Sequence, residues 1–266
     1  MILVDMSQIM MASIMMQMHM SKKSEPDEVM VRHMVLNSLR MYRTRFLSEF
    51  GEMVLCYDSR HYWRRDYFPE YKHSRRKGRS TDSKDWDIIF SCLNTIKEEI
   101  KSNMPYKSVE VYGAEADDII ATLCSESSDE VMILSGDKDF IQLQRFPNVK
   151  QYSPITKKMI NGINADDYLK EHVLKGDTSD GVPNVLSPDN TFVDGIRQRP
   201  LSKKKIALMV DGNFPNEETK RNYQRNKKLI DLTCSPEELR SEILDTYKSA
   251  PVNNRSKILN YFIKQR

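Results

Sequence analysis

The sequence is short of the residues that announce several common chemistries. Its four cysteines, Cys56, Cys92, Cys124 and Cys234, are scattered without metal-ligand spacing. That excludes zinc ribbons and disulfide scaffolds and suits reduced thiols in a cytosolic protein. Glycine is scarce, nine in 266 residues, and neither GxxxxGK(S/T) nor GxGxxG occurs, so nucleoside triphosphates and dinucleotides are poor candidate ligands. No apolar run exceeds about six residues, far short of the ~20 that a bilayer requires. A secretory leader is not expected either, because Asp5 interrupts the start and no basic stretch precedes the apolar residues. His19, His33, His61, His73 and His172 follow no strand-end pattern, so Ser-His-Asp or Cys-His nucleophilic catalysis lacks support. Nor is there an excess of one charge: 41 basic residues meet 38 acidic ones, a net +3 that says little about partners.

What is present is enough apolar residue, 39%, to bury a core in one large or two modest domains. The methionine-rich start, Met6 to Met20, reads as a helix packing flexible thioethers into that core. Short apolar runs recur at Ile2–Val4, Met53–Tyr57, Val109–Tyr112 and Val131–Leu134. Helical patterns separate them, over Ser7–His19, Glu28–Glu49, Trp86–Ser102 and Ala114–Ser127. This alternation predicts an α/β fold on a mostly parallel sheet with right-handed crossovers. From about Ala165 onward the pattern is helical, with no convincing strand. The expected division is an α/β domain over 1–164, with a segment at about 60–86 standing apart, and a helical region over 165–266.

Acids mark the ends of the apolar runs. Asp5 follows the first, Asp58 the second, and Asp137 and Asp139 the fourth, while Glu115, Asp117 and Asp118 open the helix after the third. In a parallel sheet the carboxyl ends of all strands share one edge, where ligands bind. Helix capping explains any one of these acids, but not why strand after strand ends in one. Converging carboxylates repel unless a cation neutralises them. Hard divalent cations, Mg²⁺ or Mn²⁺, suit an all-oxygen shell. Carboxylates holding such ions activate water and stabilise a leaving oxygen, the chemistry of phosphodiester cleavage.

The basic residues gather elsewhere. Arg60–Arg79 holds eight Lys/Arg against two acids, interleaved with Tyr62, Trp63, Tyr67, Phe68 and Tyr71. Aromatic rings beside clustered cations are what a single-stranded nucleic acid needs, for stacking and for phosphate contact. Arg197–Lys205 adds five basic residues and no acid; either a solvated face or a phosphate contact accounts for it.

In order along the chain stand LVDMSQ (3–8), LCYDS (55–59), YWRRDYFPEYKHSR (62–75), GAEADDIIATL (113–123), ILSGDKDFIQL (133–143) and LKGDTSDGVP (174–183). This series resembles the flap endonuclease/5′→3′ exonuclease superfamily, and within it the T-even-type phage ribonuclease H branch, to which YWRRD, MPY (104–106) and PNVKQYSP (147–154) are especially similar. The resemblance spans nearly the whole chain. It implies a resolvase-like, PIN-like nuclease core, a C-terminal helix–turn–helix-like element gripping duplex DNA, and two Mg²⁺ ions, with Mn²⁺ as a substitute. By position it assigns Asp5, Asp58, Asp117 and Asp137 to the first metal, with Glu115 and Asp118 nearby, and Asp139, Asp177 and Asp180 to the second. It makes Lys72 and Arg75 catalytic, on a helical arch or its flexible equivalent. With Arg64, Arg65, Tyr71 and Arg76 they meet the threaded strand, Tyr71 either stacking there or packing. Arg197, Arg199, Lys203, Lys204 and Lys205 are expected to hold the duplex. After GDTSDGVP the superfamily's Gly-rich GxGxKTA turn is missing, and NVLSPDNTFVDGIRQRPLSKKKIA stands in its place with Gly195 alone.

The implied activity is a Mg²⁺-dependent 5′→3′ exonuclease and flap endonuclease removing RNA primers and adjacent DNA in lagging-strand replication. Its substrates would be forked, flapped or nicked DNA and RNA–DNA duplex. Single-strand-binding protein and a sliding clamp are possible partners by the same resemblance, although the chain ends at Arg266 with no evident recruiting tail. A cytoplasmic monomer is expected, in host cytoplasm if phage-encoded. Two alternatives stay open: a PIN-like ribonuclease, which shares the acidic cleft but is shorter, and a binding module with a dead site.

Overall fold

The computed structural model describes residues 1–80 and 82–264, the side chains of Arg76, Lys77, Ser80 and Lys264 excepted. The chain runs β1 (Ile2–Asp5), α1 (Met6–Ser21), α2 (Glu28–Phe50), β2 (Met53–Cys56), α3 (Trp63–Tyr67), α4 (His73–Ser80), α5 (Trp86–Asn103), β3 (Lys107–Val109), α6 (Ala116–Glu126) and β4 (Val131–Leu134). A 3-10 helix over Lys138–Arg145 leads into β5 (Val149–Ser153) and β6 (Lys158–Ile160). The remaining elements are helices: α7 (Ala165–Lys175), then, after an irregular stretch over 176–202 where the sequence pattern predicted helix, α8 (Lys203–Val210), α9 (Glu217–Ile230), a 3-10 turn over Leu232–Cys234, α10 (Glu237–Ser249) and α11 (Ser256–Lys264).

The strands form one sheet in the order β3-β2-β1-β4-β5-β6, parallel except for β6. Every residue of β1, β2 and β4 is buried, as expected of parallel strands covered on both faces. Their side chains alternate between two cores. Ile2, Val4, Met53, Leu55, Met132 and Leu134 face the layer of α1, α2 and α5. Leu3, Val54, Cys56, Val131 and Ile133 face α6 on the other side. That second layer is completed from the far end of the chain by Leu232, Leu239 and Ile243, so the last helices are part of the covering of the sheet. No helix among the described residues is long and apolar enough to cross a membrane.

Two features depart from the sequence pattern. The third strand lies at Lys107–Val109 instead of Val109–Tyr112, because it is aligned to Val54–Cys56 and carries Tyr57 N to Val109 O at 3.0 Å. Strands β5 and β6 gave no apolar run. Gln151 in β5 is fully buried, and its amide donates to the carbonyls of Ser135 (3.0 Å) and Asp137 (2.6 Å). A polar residue there holds the turn after β4 in place.

The segment after Gly181 is irregular, and α9 explains its order. The polar side chains Asn222, Arg225 and Asn226 are buried on that helix. Asn222 donates to Val185 O and Ser187 O, Asn226 to Val173 O and Pro183 O, and Arg225 to Pro183 O, all at 2.9–3.2 Å. Buried carbonyls need donors, and here side chains supply what a regular element would.

Candidate nuclease site

The strand order brings the acids together. β1 lies between β2 and β4, so Asp5, Asp58 and Asp137 sit at the same edge of three adjacent strands, spaced by about 4.8 Å per strand. The chain leaves β1 towards β2 and β3 and returns to pair β4 on its other side, a topological switch point where α/β sheets bind ligands. Asp117 joins from the first turn of α6. All four border one cleft of about 1140 Å³, together with Glu115, Asp139, Asp180, Lys72, Arg75 and Arg65.

Capping and convergence prove compatible. Asp5 caps α1 by accepting from Gln8 N at 3.0 Å and from Ser135 Oγ at 2.9 Å. Asp58 accepts from Ala116 N at 2.7 Å and from Ser7 Oγ at 2.6 Å, tying α6 and α1 to the same carboxylate. Asp137 accepts from Asp139 N at 3.0 Å. Ser7, Gln8 and Ser135 are thus supporting residues that the sequence pattern did not single out; Ser7-Gln8, one residue removed from the first strand-end aspartate, was the available signal. Asp117 has no hydrogen-bond donor among the described residues.

Burial, reinforced by neighbouring charge, raises the pKa of three of these carboxylates. Asp5 is pushed up to about 7 by burial, then by the charges of Asp58 and Asp137. Asp117 is held well above the ordinary carboxylate range by burial and by Asp137 and Glu115. Asp139 is also raised, by burial and then by Asp137 and Asp177, against the opposing hydrogen bond from His172. Oxygen donors that repel, with one lacking any hydrogen-bond donor among the described residues, are what hard divalent cations relieve. The residues fit such ions.

Other acids expected at the metals are engaged differently. Asp118 is fully buried and accepts from Arg64 (2.8 and 2.9 Å), Glu115 N (3.0 Å), Ser235 Oγ (2.6 Å) and Trp63 Nε1 (3.3 Å). Its oxygens are saturated, and the expected role near the metal gives way to a structural one. Arg64, expected on nucleic acid, is 1% exposed, bonded to Asp118, Glu115 and Leu229 O. Tyr71 is 3% exposed, its hydroxyl donating to Asp180 at 2.7 Å and lying 3.0 Å from Glu115, so it packs and has no face for a base.

Lys72 and Arg75 do reach the cleft. Lys72 Nζ bonds Glu115 and lies 3.5 Å from Asp180; Arg75 bonds Asp180. Burial disfavours the Lys72 ammonium, but Asp180 and Glu115 outweigh it and raise its pKa. Lys72 N also donates to Asp180 O at 2.7 Å, with Lys72 in the left-handed region (φ 58°). This joins the basic segment to the 177–182 loop, which Gly181 lets approach: a Cβ there would lie 3.1 Å from Glu70 O. Arg65 borders the cleft, its guanidinium 4.8 Å from the Tyr62 ring centroid. The Arg76 side chain lies outside the described residues. Arg197, Arg199, Lys203, Lys204 and Lys205 are exposed, and none borders the acidic cleft. His172, discounted from sequence, lies against Asp139 at 3.0 Å.

This sheet, with an acidic cleft at its switch point, defines a class. Residues 1–176 match the family described as 5′-3′ exonuclease, N-terminal resolvase-like domain, and the chain belongs to it. It is a nuclease. Residues 164–266 match the family T4 RNase H, C terminal. The chain is similar to ribonuclease H of Enterobacteria phage T4, 33% identical over 279 residues, covering 98% of this chain and 90% of that protein. It is also similar to flap endonuclease Xni of Shewanella sp. strain MR-4, 30% identical over 134 residues, 46% of this chain and 48% of that one. In fold it is similar to the bacteriophage T5 flap endonuclease, solved as a pseudo-enzyme-product complex with DNA and metal ions. That structure has a TM-score of 0.63 at 15% identity, covering 93% of this chain and 99% of the other.

Proposed function

We propose that this nuclease is a Mg²⁺-dependent 5′→3′ exonuclease and flap endonuclease that removes RNA primers and adjacent DNA during lagging-strand replication, with Mn²⁺ able to substitute. The observation that carries the reading is one cleft holding both the strand-end carboxylates and the cations of the basic segment. Asp5, Asp58, Asp117 and Asp137 would hold a first ion, with Glu115 beside it, and Asp139, Asp177 and Asp180 would serve a second. Ions bound there supply an activated water and a counter-charge for the leaving oxygen. Lys72 and Arg75 bind the reacting phosphate and offset the charge that develops on it. Their carboxylate partners hold both side chains at the cleft before substrate arrives. Arg65 lines the path of the unpaired strand.

The duplex is gripped by the helix–turn–helix-like element that starts at GDTSDG (176–181), with α8 beyond it. Ser202 caps α8 by accepting from Lys205 N, and the helix start presents Lys203, Lys204 and Lys205 to phosphates. Arg199 is held by its backbone, its carbonyl accepting from Asn184 Nδ2 and its N–H donating to Ser187 Oγ, both at 2.9 Å. The test is cleavage of matched 5′-labelled flap, nicked and RNA–DNA substrates in Mg²⁺, in Mn²⁺ and in chelator. The proposal requires metal-dependent products released from the 5′ end. Cutting of single-stranded RNA without regard to its end would point to a PIN-like ribonuclease, and binding without cleavage to a non-catalytic module.

A further inference from the structure

A histidine completes a donor set that the sequence presented as carboxylate only. His172 lies in the last turn of α7, and its Nε2 is 3.0 Å from Asp139 Oδ1 and 3.9 Å from Asp177 Oδ2. One ligand atom from each of the three residues lies within 4.8 Å of the others, and all three side chains are half-buried. The 3.0 and 3.9 Å separations lie within the span of two donors on one ion, and the shorter is equally that of an N–H···O hydrogen bond. Two donors each ~2.1 Å from one centre stand about 3.0 Å apart at a right angle and about 3.4 Å apart at the tetrahedral angle.

The three side chains are held from outside the group. Asp177 Oδ1 accepts from Ser179 N and Ser179 Oγ, both at 2.7 Å, and from Asp180 N at 3.2 Å. Its Oδ2, the atom turned towards His172, accepts no hydrogen bond among the described residues. The His172 ring rests on Tyr168, with centroids 5.6 Å apart and planes inclined by 32°. The helix end below it is closed by Gly176 N donating to His172 O at 2.9 Å. Gly176 has φ +68°, and a Cβ there would collide with Val182 O. A rigid turn therefore joins the helix that carries the imidazole to the loop that carries Asp177.

We propose that His172 Nε2 is a ligand at the second ion position, with Asp139 and Asp177. The inference rests on the two-ion reading above and adds a selectivity to it. Mg²⁺ prefers oxygen donors and dehydrates reluctantly, whereas Mn²⁺, Co²⁺ and Zn²⁺ accept imidazole readily. The first position, all carboxylate, takes Mg²⁺; the second favours Mn²⁺ or a later divalent ion. The competing role for His172 is to orient Asp139 through a hydrogen bond, which puts no nitrogen on the metal.

The experiment titrates Mn²⁺ into the protein and into His172→Gln, counting bound ions by electron paramagnetic resonance. Electron spin-echo envelope modulation then reads ¹⁴N bonded to the metal. Wild type should bind two Mn²⁺ and show histidine ¹⁴N modulation. His172→Gln should lose that modulation and bind one of the two ions at least about tenfold more weakly, while Mg²⁺ affinity changes much less. His172→Phe, which keeps a ring against Tyr168, repeats the test if the Gln variant is poorly folded. Two bound Mn²⁺ without nitrogen modulation in wild type, or modulation that survives in the variants, overturns the His172 assignment and leaves the two-ion reading standing. Failure of wild type to bind Mn²⁺ at all overturns the two-ion reading, and the assignment with it.

Discussion

The first turn of α6 carries two adjacent aspartates in opposite environments. Asp118 points into the core and meets Arg64, Trp63 and Ser235, whereas Asp117 points into the cleft and meets other carboxylates. One pairs its charge completely, and the other is left with repulsion. The comparison extends to whole regions. The Arg64–Glu115–Asp118 network locks the basic segment to α6, and the Asp5–Asp58–Asp117–Asp137 cluster stays uncompensated by donors of comparable strength. Binding sites are built from groups that the fold leaves unsatisfied; structural networks are built from groups that it satisfies.

The largest expected effect separates these two aspartates by activity. Asp117→Asn should lower flap cleavage in Mg²⁺ on the order of 10³-fold with duplex binding retained, since phosphate contacts lie elsewhere. Folded Asp118→Asn should keep a single-turnover rate within about tenfold of wild type, because its carboxylate touches no substrate. Equal losses in the two variants would break the comparison.

Stability should show the reverse. Removing charge from Asp118 leaves the buried Arg64 guanidinium with Glu115 alone, and breaking such a pair costs about 3 kcal/mol. Urea unfolding of metal-free Asp118→Asn should show that loss. Asp117→Asn should show none.

Next is the dependence on pH and metal. Asp5, Asp117 and Asp139 have folded pKa values above their ordinary ones, so the folded state binds more protons than the unfolded state. Their contribution is greatest below pH ~4 and is lost as pH climbs through the folded values, about 7 for Asp5. Metal-free wild type should therefore melt lower at pH 7.5 than at pH 5.5, and Asp117→Asn should narrow the difference. Mg²⁺ at a hundredfold excess over its dissociation constant should add ~2.7 kcal/mol to wild type and less to the variant. If metal-free Asp117→Asn melts below wild type at the higher pH, the cluster is not repulsive.

The smallest effect concerns the cations outside the cleft. Ala at Lys203, Lys204 and Lys205 together should weaken duplex binding and reduce the salt slope by up to ~2.7, about 0.9 for each phosphate no longer neutralised. Single-turnover cleavage at saturating enzyme should stay within about twofold. A slowed chemical step with an unchanged slope would place these lysines at the reaction itself.

By itself the sequence determined where the buried parallel strands β1, β2 and β4 fall and that acids follow them. Those properties are local: an unbroken apolar run for β1, β2 or β4, and the polar residue that ends it. Strand order and a shared edge then carry Asp5, Asp58 and Asp137 together with little further information. The tertiary structure alone decided which acids are free. Nothing near Asp118 in the chain announces Ser235, and nothing in YWRRD distinguishes the buried Arg64 from the cleft-facing Arg65. The same holds for Gln151, whose polarity concealed β5, and for His172, which meets Asp139 only through the packing of α7 on the 3-10 helix after β4. A side chain's polarity is written in its own residue. Whether that polarity is satisfied depends on partners distant in the chain, and only the fold supplies or withholds them.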